Sequence, residues 1–183
     1  MVTLLNDLLN VSRVGRVDSD FVPIELAEVV AHVADQQRFS LQRRGGDLQV
    51  DLADAVIEGN WTRMVQLFSN LIDNAITYTP PERAPRIAIS GREEGDSWLV
   101  RVSDNGVGIP EDHREDVFGM FHRLKSGKEL NPSGTGMGLA LVARIVQLHG
   151  GEIWIDPATT EGTAFCFTLP KLDASSGKDH EAG

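Results

Sequence analysis

Two alternating runs of residues joined by a short turn constrain the fold of this chain more than any other feature. In the segments RIAISGRE and SWLVRVSDN, apolar and polar residues alternate, as they do in strands that have one buried face. The residues between them, Glu94, Gly95 and Asp96, are typical of a tight turn. The pattern predicts a β-hairpin whose apolar face needs a covering layer.

Three segments have the apolar spacing of helices and could supply that layer. They run from about Glu25 to Arg44, from Trp61 to Thr77 and from Leu139 to His149. Further strands are predicted for the segments DLQVDL, AVIEGN, EIWID and TAFCFTLP. The predicted fold is therefore α+β. It is a two-layer α/β sandwich with a mixed, mostly antiparallel sheet and helices on one face.

The charge and composition of the chain limit its partners and location. A formal net charge of −10 repels phosphate backbones and anionic lipids, so neither nucleic acid nor direct membrane contact is expected. No apolar run approaches membrane-spanning length and no signal peptide opens the chain, so a cytoplasmic location is expected. The single cysteine, Cys166, lies in an alternating apolar run and is expected to be a core residue.

The ends of the chain differ from its middle. The opening segment MVTLLNDLLNVSRVGR has a wide apolar stripe at helical spacing, which predicts the end of a longer helix that packs on a partner. A helix folded onto its own domain is the alternative. Residues 1–16 are therefore separated from a main domain at 17–171, and the polar residues 172–183 are predicted to be disordered.

The helix from Trp61 to Thr77 has a polar stripe beside its apolar face. Asn70, Asn74 and Tyr78 recur every four residues and share one edge of the helix. A lone asparagine there would be a surface residue, but two in register fit a ligand-facing edge better. Amide oxygens suit Mg²⁺, which bridges to substrate phosphates, and a tyrosine can contact a base.

A glycine-containing turn follows the second strand of the hairpin, in the segment SDNGVGIP. Asp104 ends the strand, and Gly106 and Gly108 allow close approach of the backbone to a ligand. A carboxylate at the floor of a pocket can accept a hydrogen bond from an exocyclic amine. Taken alone, however, the segment is better explained as a plain turn.

A second glycine-rich segment, SGTGMGLAL, leads directly into the last helix. Gly134, Gly136 and Gly138 occupy alternate positions, whereas capping a helix needs only one glycine. Free N–H groups at such a helix terminus bind phosphate. The spacing matches neither a P-loop nor a G-x-G-x-x-G fingerprint, which disfavours P-loop, Rossmann and eukaryotic-type kinase sites.

Four segments in order resemble the N, G1, F and G2 boxes of the ATP-binding domain of sensor histidine kinases. They are NLIDNAITYT, DNGVGIP, VFGMFHRL and GTGMGLAL, and EGTAFCFTLP is similar to the closing strand of that family. The residues of the segments FGMFHRL and HGGEIWID are most similar to those of the phytochrome-like branch of the family. The resemblance covers about residues 23–170. It implies a Bergerat-type (GHKL) fold that binds ATP and Mg²⁺ and acts in two-component signalling.

The resemblance also implies roles for single residues. Asn74 would coordinate Mg²⁺ and Asn70 would assist near the phosphates, as the catalytic pair. Tyr78 would lie against adenine, and Asp104 would accept a hydrogen bond from the adenine amino group. The other implied site residues are Gly106 and Gly108 at the pocket floor, Gly134, Gly136 and Gly138 at the phosphate side, and Thr163 near the base.

The long connection before the last helix would be the ATP lid. The lid would extend from about Glu111 to Thr135, and Phe118 and Phe121 would anchor it. Its candidate phosphate contacts are Arg123, Lys125 and Lys128. The chain has Thr77 where many members of the family carry lysine.

No phosphoacceptor motif accompanies the chain's histidines. These are His32, His113, His122, His149 and His180. The segment LLNDLLNVSR resembles the end of a dimerisation and phosphoacceptor helix, cut before that histidine. The implied partners are therefore a separate phosphoacceptor hairpin, a response regulator and a second copy bound through the N-terminal helix.

The residue type at position 70 distinguishes a predicted kinase from a dedicated ATPase. Related ATPases of the gyrase and chaperone type place a glutamate one turn before the Mg²⁺-binding asparagine, to activate water. An amide cannot take a proton at accessible pH, so slow hydrolysis is predicted. Two alternatives remain: an anti-sigma-type Ser/Thr kinase on the same fold, and a nucleotide-sensing interaction module without catalysis.

Overall fold

The computed structural model of the protein describes residues 21–52, 54–122, 124, 130–132 and 134–172. The predicted N-terminal helix at 1–16 and nearly all of the predicted disordered tail lie outside these residues. The described elements, in chain order, are β1 (Val22–Glu25), α1 (Leu26–Arg43), β2 (Asp47–Asp51), β3 (Val56–Gly59), α2 (Trp61–Thr77), β4 (Arg86–Glu94), β5 (Ser97–Asp104), α3 (Gly138–Leu148), β6 (Ile153–Ile155) and β7 (Ala164–Pro170). Two short 3₁₀ helices, Glu111–His113 and Asp116–Phe118, lie between β5 and α3.

Five of these strands form one sheet in the order β2-β4-β5-β7-β6. Strands β2 and β4 are parallel, and the other neighbours are antiparallel. The predicted hairpin is confirmed as β4 and β5, with Glu94 paired to Ser97, so that only Gly95 and Asp96 form the turn. The mixed, mostly antiparallel sheet therefore agrees with the sequence prediction.

A second, two-stranded sheet was not predicted from the sequence. Strand β1 pairs antiparallel with β3, from Val22 opposite Gly59 to Glu25 opposite Val56. Strand β1 has only four residues, too few for an alternating pattern to indicate a strand. One of them, Pro23, has no backbone N–H to donate to a neighbouring strand. The pairing with β3 is therefore decided by tertiary contacts.

The core lies between the helices and one face of the five-stranded sheet. Burial alternates along β5, where Trp98, Val100 and Val102 are buried and the residues between them are not. Helix α2 lies at the centre of the helical layer; its buried residues are Met64, Leu67, Phe68, Leu71, Ile72 and Ala75. Each large apolar side chain buried in this way contributes about 1.5–3 kcal/mol. The packing fixes the rotation of α2 and therefore where its polar edge faces.

His149 joins the end of α3 to the beginning of α2. Its Nδ1–H donates to the carbonyl oxygen of Ile145 at 2.8 Å, and its Nε2 accepts from the backbone N–H of Asn60 at 3.1 Å. Asn60 in turn caps α2, because its Oδ1 accepts from the N–H of Arg63 at 3.0 Å. These partners fit the neutral imidazole. Burial lowers the pKa of His149 and the charge of Arg63 lowers it further, although the Ile145 carbonyl opposes both effects.

We expect the stability of the protein to depend on pH through His149. Because the folded-state pKa lies below the unfolded-state value of about 6.5, the unfolded state binds more protons as the pH falls. The contribution is fully present above about pH 6.5 and is lost as the pH falls through the folded-state pKa. Urea unfolding at a series of pH values measures this change.

The matched control for this prediction is a histidine on the surface. In His149→Gln, which cannot titrate, the fall in unfolding free energy between about pH 7 and about pH 5 should be smaller than in the parent chain. His32→Gln controls for the replacement of a histidine by glutamine, because His32 is exposed and bonded to Gln36 at 3.0 Å. An equal pH dependence in the parent and His149→Gln would contradict the assignment.

Two further expectations concern Cys166 and membrane insertion. Cys166 is 6% exposed, and burial raises the pKa of its thiol, so its assignment as a core residue is confirmed. None of the helices in the described ranges combines the length and the apolar character needed to cross a bilayer.

Candidate functional site

Asn70 lies on the edge of α2 that faces the beginning of α3. Its side-chain Nδ2 donates to the carbonyl oxygen of Gln66 at 2.8 Å, which fixes the orientation of the amide. The Oδ1 atom consequently points towards Gly138, where an added Cβ would lie only 2.9 Å from it. A side chain at position 138 would have to displace Asn70. The glycine therefore allows the beginning of α3 to approach the polar edge of α2.

Asn74 lies one turn further along the same edge and is half-buried. Within the described part of the chain, the Asn74 side chain forms no hydrogen bond, whereas its backbone carbonyl accepts from the N–H of Tyr78 at 2.8 Å. Its amide oxygen is therefore available to a ligand. With a rise of about 1.5 Å per residue, Asn70 and Asn74 lie about 6 Å apart along the helix axis.

Tyr78 ends this polar edge and meets the turn after β5. Its backbone carbonyl accepts from the N–H of Val107 at 3.0 Å. The turn approaches so closely that a Cβ at Gly106 would lie 2.8 Å from that same carbonyl oxygen. The structure therefore brings together Tyr78, at the end of α2, and Gly106, in the turn.

Asp104 forms the other side of this turn, and its two carboxylate oxygens differ. Oδ1 accepts from the N–H of Gly106 at 2.8 Å and from the N–H of Thr163 at 3.2 Å. For Oδ2, the described residues provide no hydrogen-bond donor. Burial raises the pKa of the carboxyl group, while the two N–H groups oppose that change. The carboxyl group is therefore fixed through one oxygen and can accept a hydrogen bond through the other.

Thr163 and Gly162 close the site from the β7 side. Thr163 is 6% exposed, and its carbonyl oxygen accepts from the N–H of Asp104 at 2.8 Å. Gly162 has a φ of +67°, and a Cβ at this position would overlap the carbonyl oxygen of Asp104. Gly108 has a φ of +74°, and a Cβ added at this position would lie 3.0 Å from the carbonyl oxygen of Gly162. Gly162 was not predicted as a site residue, although it belongs to the segment EGT.

The beginning of α3 presents backbone N–H groups beside Asn70. The residue before the helix, Met137, is buried and has no capping side chain. The first helical hydrogen bond runs from the N–H of Leu141 to the carbonyl of Met137, so the amides of residues 138–140 precede it. Such amides, together with the helix dipole, favour an anion. This terminus is the predicted phosphate side of the site.

The other two glycines of this segment connect it to the lid. Gly136 has a φ of +72°, and its carbonyl accepts from the N–H of Phe121 at 3.1 Å. The N–H of Gly134 donates to the carbonyl of Asn131 at 3.2 Å. Neither glycine has a direct contact with Asn70 or Asp104 recorded among the described residues, so their predicted role at the phosphates stays a prediction.

Only one of the two expected lid anchors packs into the core. Phe118 packs against the core beside Phe165, with ring centroids 6.3 Å apart. Phe121 is 54% exposed, so its expected anchoring is wrong, and the contact seen in the described residues is from its backbone N–H to the carbonyl of Gly136. The candidate phosphate contacts Arg123, Lys125 and Lys128 lie outside the described residues.

Two residues that position the site were missed in the sequence. Arg44 follows α1 and donates to the backbone carbonyls of four residues beyond it: Ile76, Thr79, Pro80 and Arg83. It therefore holds the end of α2 and the following turn next to Tyr78. Asn105 similarly bonds the backbone of Arg86 at 2.8 Å and of Ala84 at 3.0 Å. No local pattern reveals either role, because both depend on distant segments.

These features suit a nucleotide with a divalent cation. A carboxylate oxygen that has no hydrogen-bond donor among the described residues lies at one end of the α2 edge, and the N–H groups of α3 lie at the other. Between them are the amide oxygens of Asn70 and Asn74, neutral oxygen ligands of the kind that Mg²⁺ accepts together with water and phosphate. The donor set therefore fits magnesium.

Comparison with protein families gives an independent result. Residues 59–173 match the family described as histidine kinase-, DNA gyrase B- and HSP90-like ATPase. The methanogenesis regulatory histidine kinase FilI of Methanothrix harundinacea is 37% identical over 91% of this chain and 18% of its own length. Cyanobacterial phytochrome A of a Nostoc species is 37% identical over 93% of this chain and 22% of its own length. The chain thus spans about a fifth of these relatives.

Solved structures of histidine kinase ThkA have the same fold. Its catalytic domain is 29% identical, has a TM-score of 0.70 and covers 83% of this chain, which spans 98% of that domain. In a complex with response regulator protein TrrA, ThkA is 25% identical, with a TM-score of 0.74 and coverage of 93% of this chain and 47% of that chain. The predicted α/β sandwich is confirmed by these comparisons.

Proposed function

Because the chain belongs to the family of histidine kinase-, DNA gyrase B- and HSP90-like ATPases, we propose that it is the ATP-binding catalytic domain of a sensor histidine kinase. It transfers the γ-phosphate of ATP to a histidine on a separate phosphoacceptor hairpin. The observation that carries this proposal is the position of the polar edge of α2, formed by Asn70, Asn74 and Tyr78. This edge extends from the turn at Asp104 to the beginning of α3.

The Asp104 end of the site binds the base. Oδ1 is already bonded to two backbone N–H groups, so Oδ2 accepts the hydrogen bond from the exocyclic amine of adenine. Tyr78, half-buried at the end of α2, lies against the ring. Thr163 and Gly162 keep the carboxyl group in place from the opposite side.

The other end of the α2 edge binds the phosphates. The N–H groups at the beginning of α3 face the negative charge, Asn74 would hold Mg²⁺, and Asn70 would lie near the phosphates. When bound, this ion neutralises charge on the transferred phosphoryl group. Asn70 keeps its orientation through Gln66, so its Oδ1 stays directed at this side of the site.

The site orients ATP, but the side chain of Asn70 cannot activate a water molecule. Phosphoryl transfer depends mainly on positioning and charge neutralisation, and an imidazole nucleophile near neutral pH needs no strong base. The amide at position 70 cannot accept a proton at accessible pH. The domain therefore favours transfer to histidine over hydrolysis.

The partners and boundaries of the domain follow from this function. A phosphoacceptor hairpin supplies the histidine, and a response regulator receives the phosphoryl group, as the complex of ThkA with TrrA supports. Residues 17–171 form the catalytic unit, and residues 1–16 serve the pairing of two copies. The domain acts in the cytoplasm, where it meets ATP.

The proposal is tested by mixing the chain, labelled Mg–ATP and a purified phosphoacceptor hairpin of a sensor histidine kinase. We expect ATP binding by calorimetry and label on the hairpin that is labile in acid and stable in base. Hydrolysis by the chain alone should be slow. Turnover comparable with that of dedicated ATPases would contradict the proposal.

The other outcomes distinguish the alternatives. Label that is stable in acid on a serine or threonine would favour an anti-sigma-type kinase. A folded chain without Mg–ATP binding would favour a non-catalytic interaction module. FilI and ThkA are both named histidine kinases, which supports histidine as the acceptor.

A further inference from the structure

Three potential metal ligands lie together at the base of the lid, outside the ATP site described above. His113, Asp116 and His122 each offer one ligand atom, and these atoms all lie within 4.8 Å of one another. The two imidazole rings face each other at an angle of 51° with centroids 5.7 Å apart. The proposed kinase chemistry gives these three residues no role.

The hydrogen bonding of the two histidines is incomplete. The Nδ1 atoms of His113 and His122 are both buried, and neither has a hydrogen-bond partner among the described residues. A buried polar atom without a partner lowers the stability of the folded state. They are the only two such side-chain atoms found in the described ranges. Their occurrence in adjacent rings points to a shared ligand.

Two imidazoles and one carboxylate favour zinc over magnesium. Imidazole nitrogen suits Zn²⁺ and other first-row transition ions, whereas Mg²⁺ and Ca²⁺ take oxygen ligands. In a tetrahedral zinc site with ligand bonds of about 2.0–2.1 Å, neighbouring ligand atoms lie about 3.3 Å apart. Because no two ligand atoms are more than 4.8 Å apart, none of these separations needs to close by more than about 1.5 Å.

The surroundings of His113 favour a bound cation. The Oδ2 atom of Asp112 lies 3.8 Å from its Nε2, on the side of the ring away from the buried Nδ1. A metal-binding histidine commonly directs its second nitrogen at a carboxylate, which raises its affinity for the ion. The one nearby cation in EDHRED, Arg114, donates to the carbonyls of Ile109 and Pro157 instead. Within the segment EDHRED itself, four carboxylates outnumber the one guanidinium of Arg114.

The turn between the ligands connects the cluster to the glycine-rich segment. Gly119 donates to the carbonyl of Asp116 at 2.9 Å, which reverses the chain between the first two ligands and the third. Phe121, directly before His122, has a φ of +63°, which is costly for a residue with a side chain. Its N–H bonds the carbonyl of Gly136. A constraint on His122 therefore acts on the segment that leads into α3.

We propose that His113, Asp116 and His122 bind one Zn²⁺ ion, with water in the fourth position, at the base of the lid. The ion satisfies both buried Nδ1 atoms and fastens the two 3₁₀ turns to the residue next to Phe121. Its role is to hold this part of the lid in one conformation. The site does not depend on ATP, so it is tested without nucleotide.

The test uses Co²⁺ as a spectroscopic substitute for Zn²⁺ in the chelator-treated chain. One equivalent of Co²⁺ should give the visible absorption of a tetrahedral site, and Zn²⁺ should abolish it, whereas excess Mg²⁺ should not. His113→Gln and His122→Gln should each weaken binding by more than about tenfold, because each removes a direct ligand. Asp112→Asn should weaken binding less than either ligand replacement, because its carboxylate lies 3.8 Å from Nε2 of His113 and is not itself a ligand.

His32→Gln is the matched control, because His32 is exposed and lies on α1, away from the cluster. It should bind Co²⁺ as the parent chain does. Zn²⁺ should also raise the melting temperature of the parent chain and of His32→Gln but not of His122→Gln. The proposal is wrong if Co²⁺ gives no tetrahedral spectrum, or if His113→Gln and His122→Gln bind as tightly as the parent. Either result would leave the proposed ATP site unaffected, because the zinc test uses no nucleotide.

Discussion

Replacing Asp104 by asparagine is expected to weaken ATP binding about 100-fold, because a hydrogen bond to a charged group contributes about 1.5–3 kcal/mol. The variant retains an oxygen for the N–H groups of Gly106 and Thr163, so the amide is held in that orientation. Its NH₂ group then takes the place of Oδ2 and meets the adenine amine donor to donor. Calorimetric titration with Mg–ATP measures the loss.

The isosteric change is more informative than Asp104→Ala. Alanine would leave the N–H groups of Gly106 and Thr163 without their acceptor, so lost binding could reflect a disrupted turn. With Asp104→Asn, unfolding should show a nearly unchanged stability. GTP, whose base offers a carbonyl oxygen where adenine has the amine, should lose less affinity than ATP. Unchanged ATP affinity in Asp104→Asn would refute the assignment of the base.

Replacing Asn74 by alanine is expected to lower phosphotransfer by about 100–1,000-fold, because metal-assisted charge stabilisation contributes several kcal/mol. The fold should be little affected, since no hydrogen bond of the described chain uses the Asn74 side chain. The effect on binding should depend on the cation. With Mg²⁺ the variant should bind ATP about tenfold more weakly, and with excess chelator the two proteins should bind alike.

The control for Asn74 is its neighbour Asp73. This side chain is exposed and accepts from Gln37 Nε2 at 2.7 Å, so it lies off the ligand-facing edge although it is adjacent in sequence. Asp73→Asn should retain phosphotransfer. If Asn74→Ala weakens ATP equally with and without Mg²⁺, Asn74 contacts the nucleotide itself and is not a magnesium ligand.

Much of the fold could be predicted because its patterns are local. The alternation in β4 and β5 and the apolar spacing of α2 each reflect burial of one face, and the observed ranges agree closely with the prediction. Strand β1 was missed because its four residues gain their partners only from β3. The exposure of Phe121 was missed for a related reason. A motif specifies an aromatic residue but not the backbone φ that turns its ring outward.

The sequence by itself determined the chemical groups of the site and their spacing along each element. Asn70, Asn74 and Tyr78 share an edge because a helix repeats every 3.6 residues, and Asp104 ends a strand that its own alternation defines. Those relations act between neighbours in the chain. They require no knowledge of the rest of the molecule.

Only the tertiary structure decided which atom of each group is available. Gly106 and Thr163 occupy one oxygen of Asp104 and leave the other, and Gln66 turns the oxygen of Asn70 towards Gly138. The tertiary structure also brings His113, Asp116 and His122 together. Hydrogen bonds are directional and short, so their partners are set by the packing of distant segments, which no local pattern encodes.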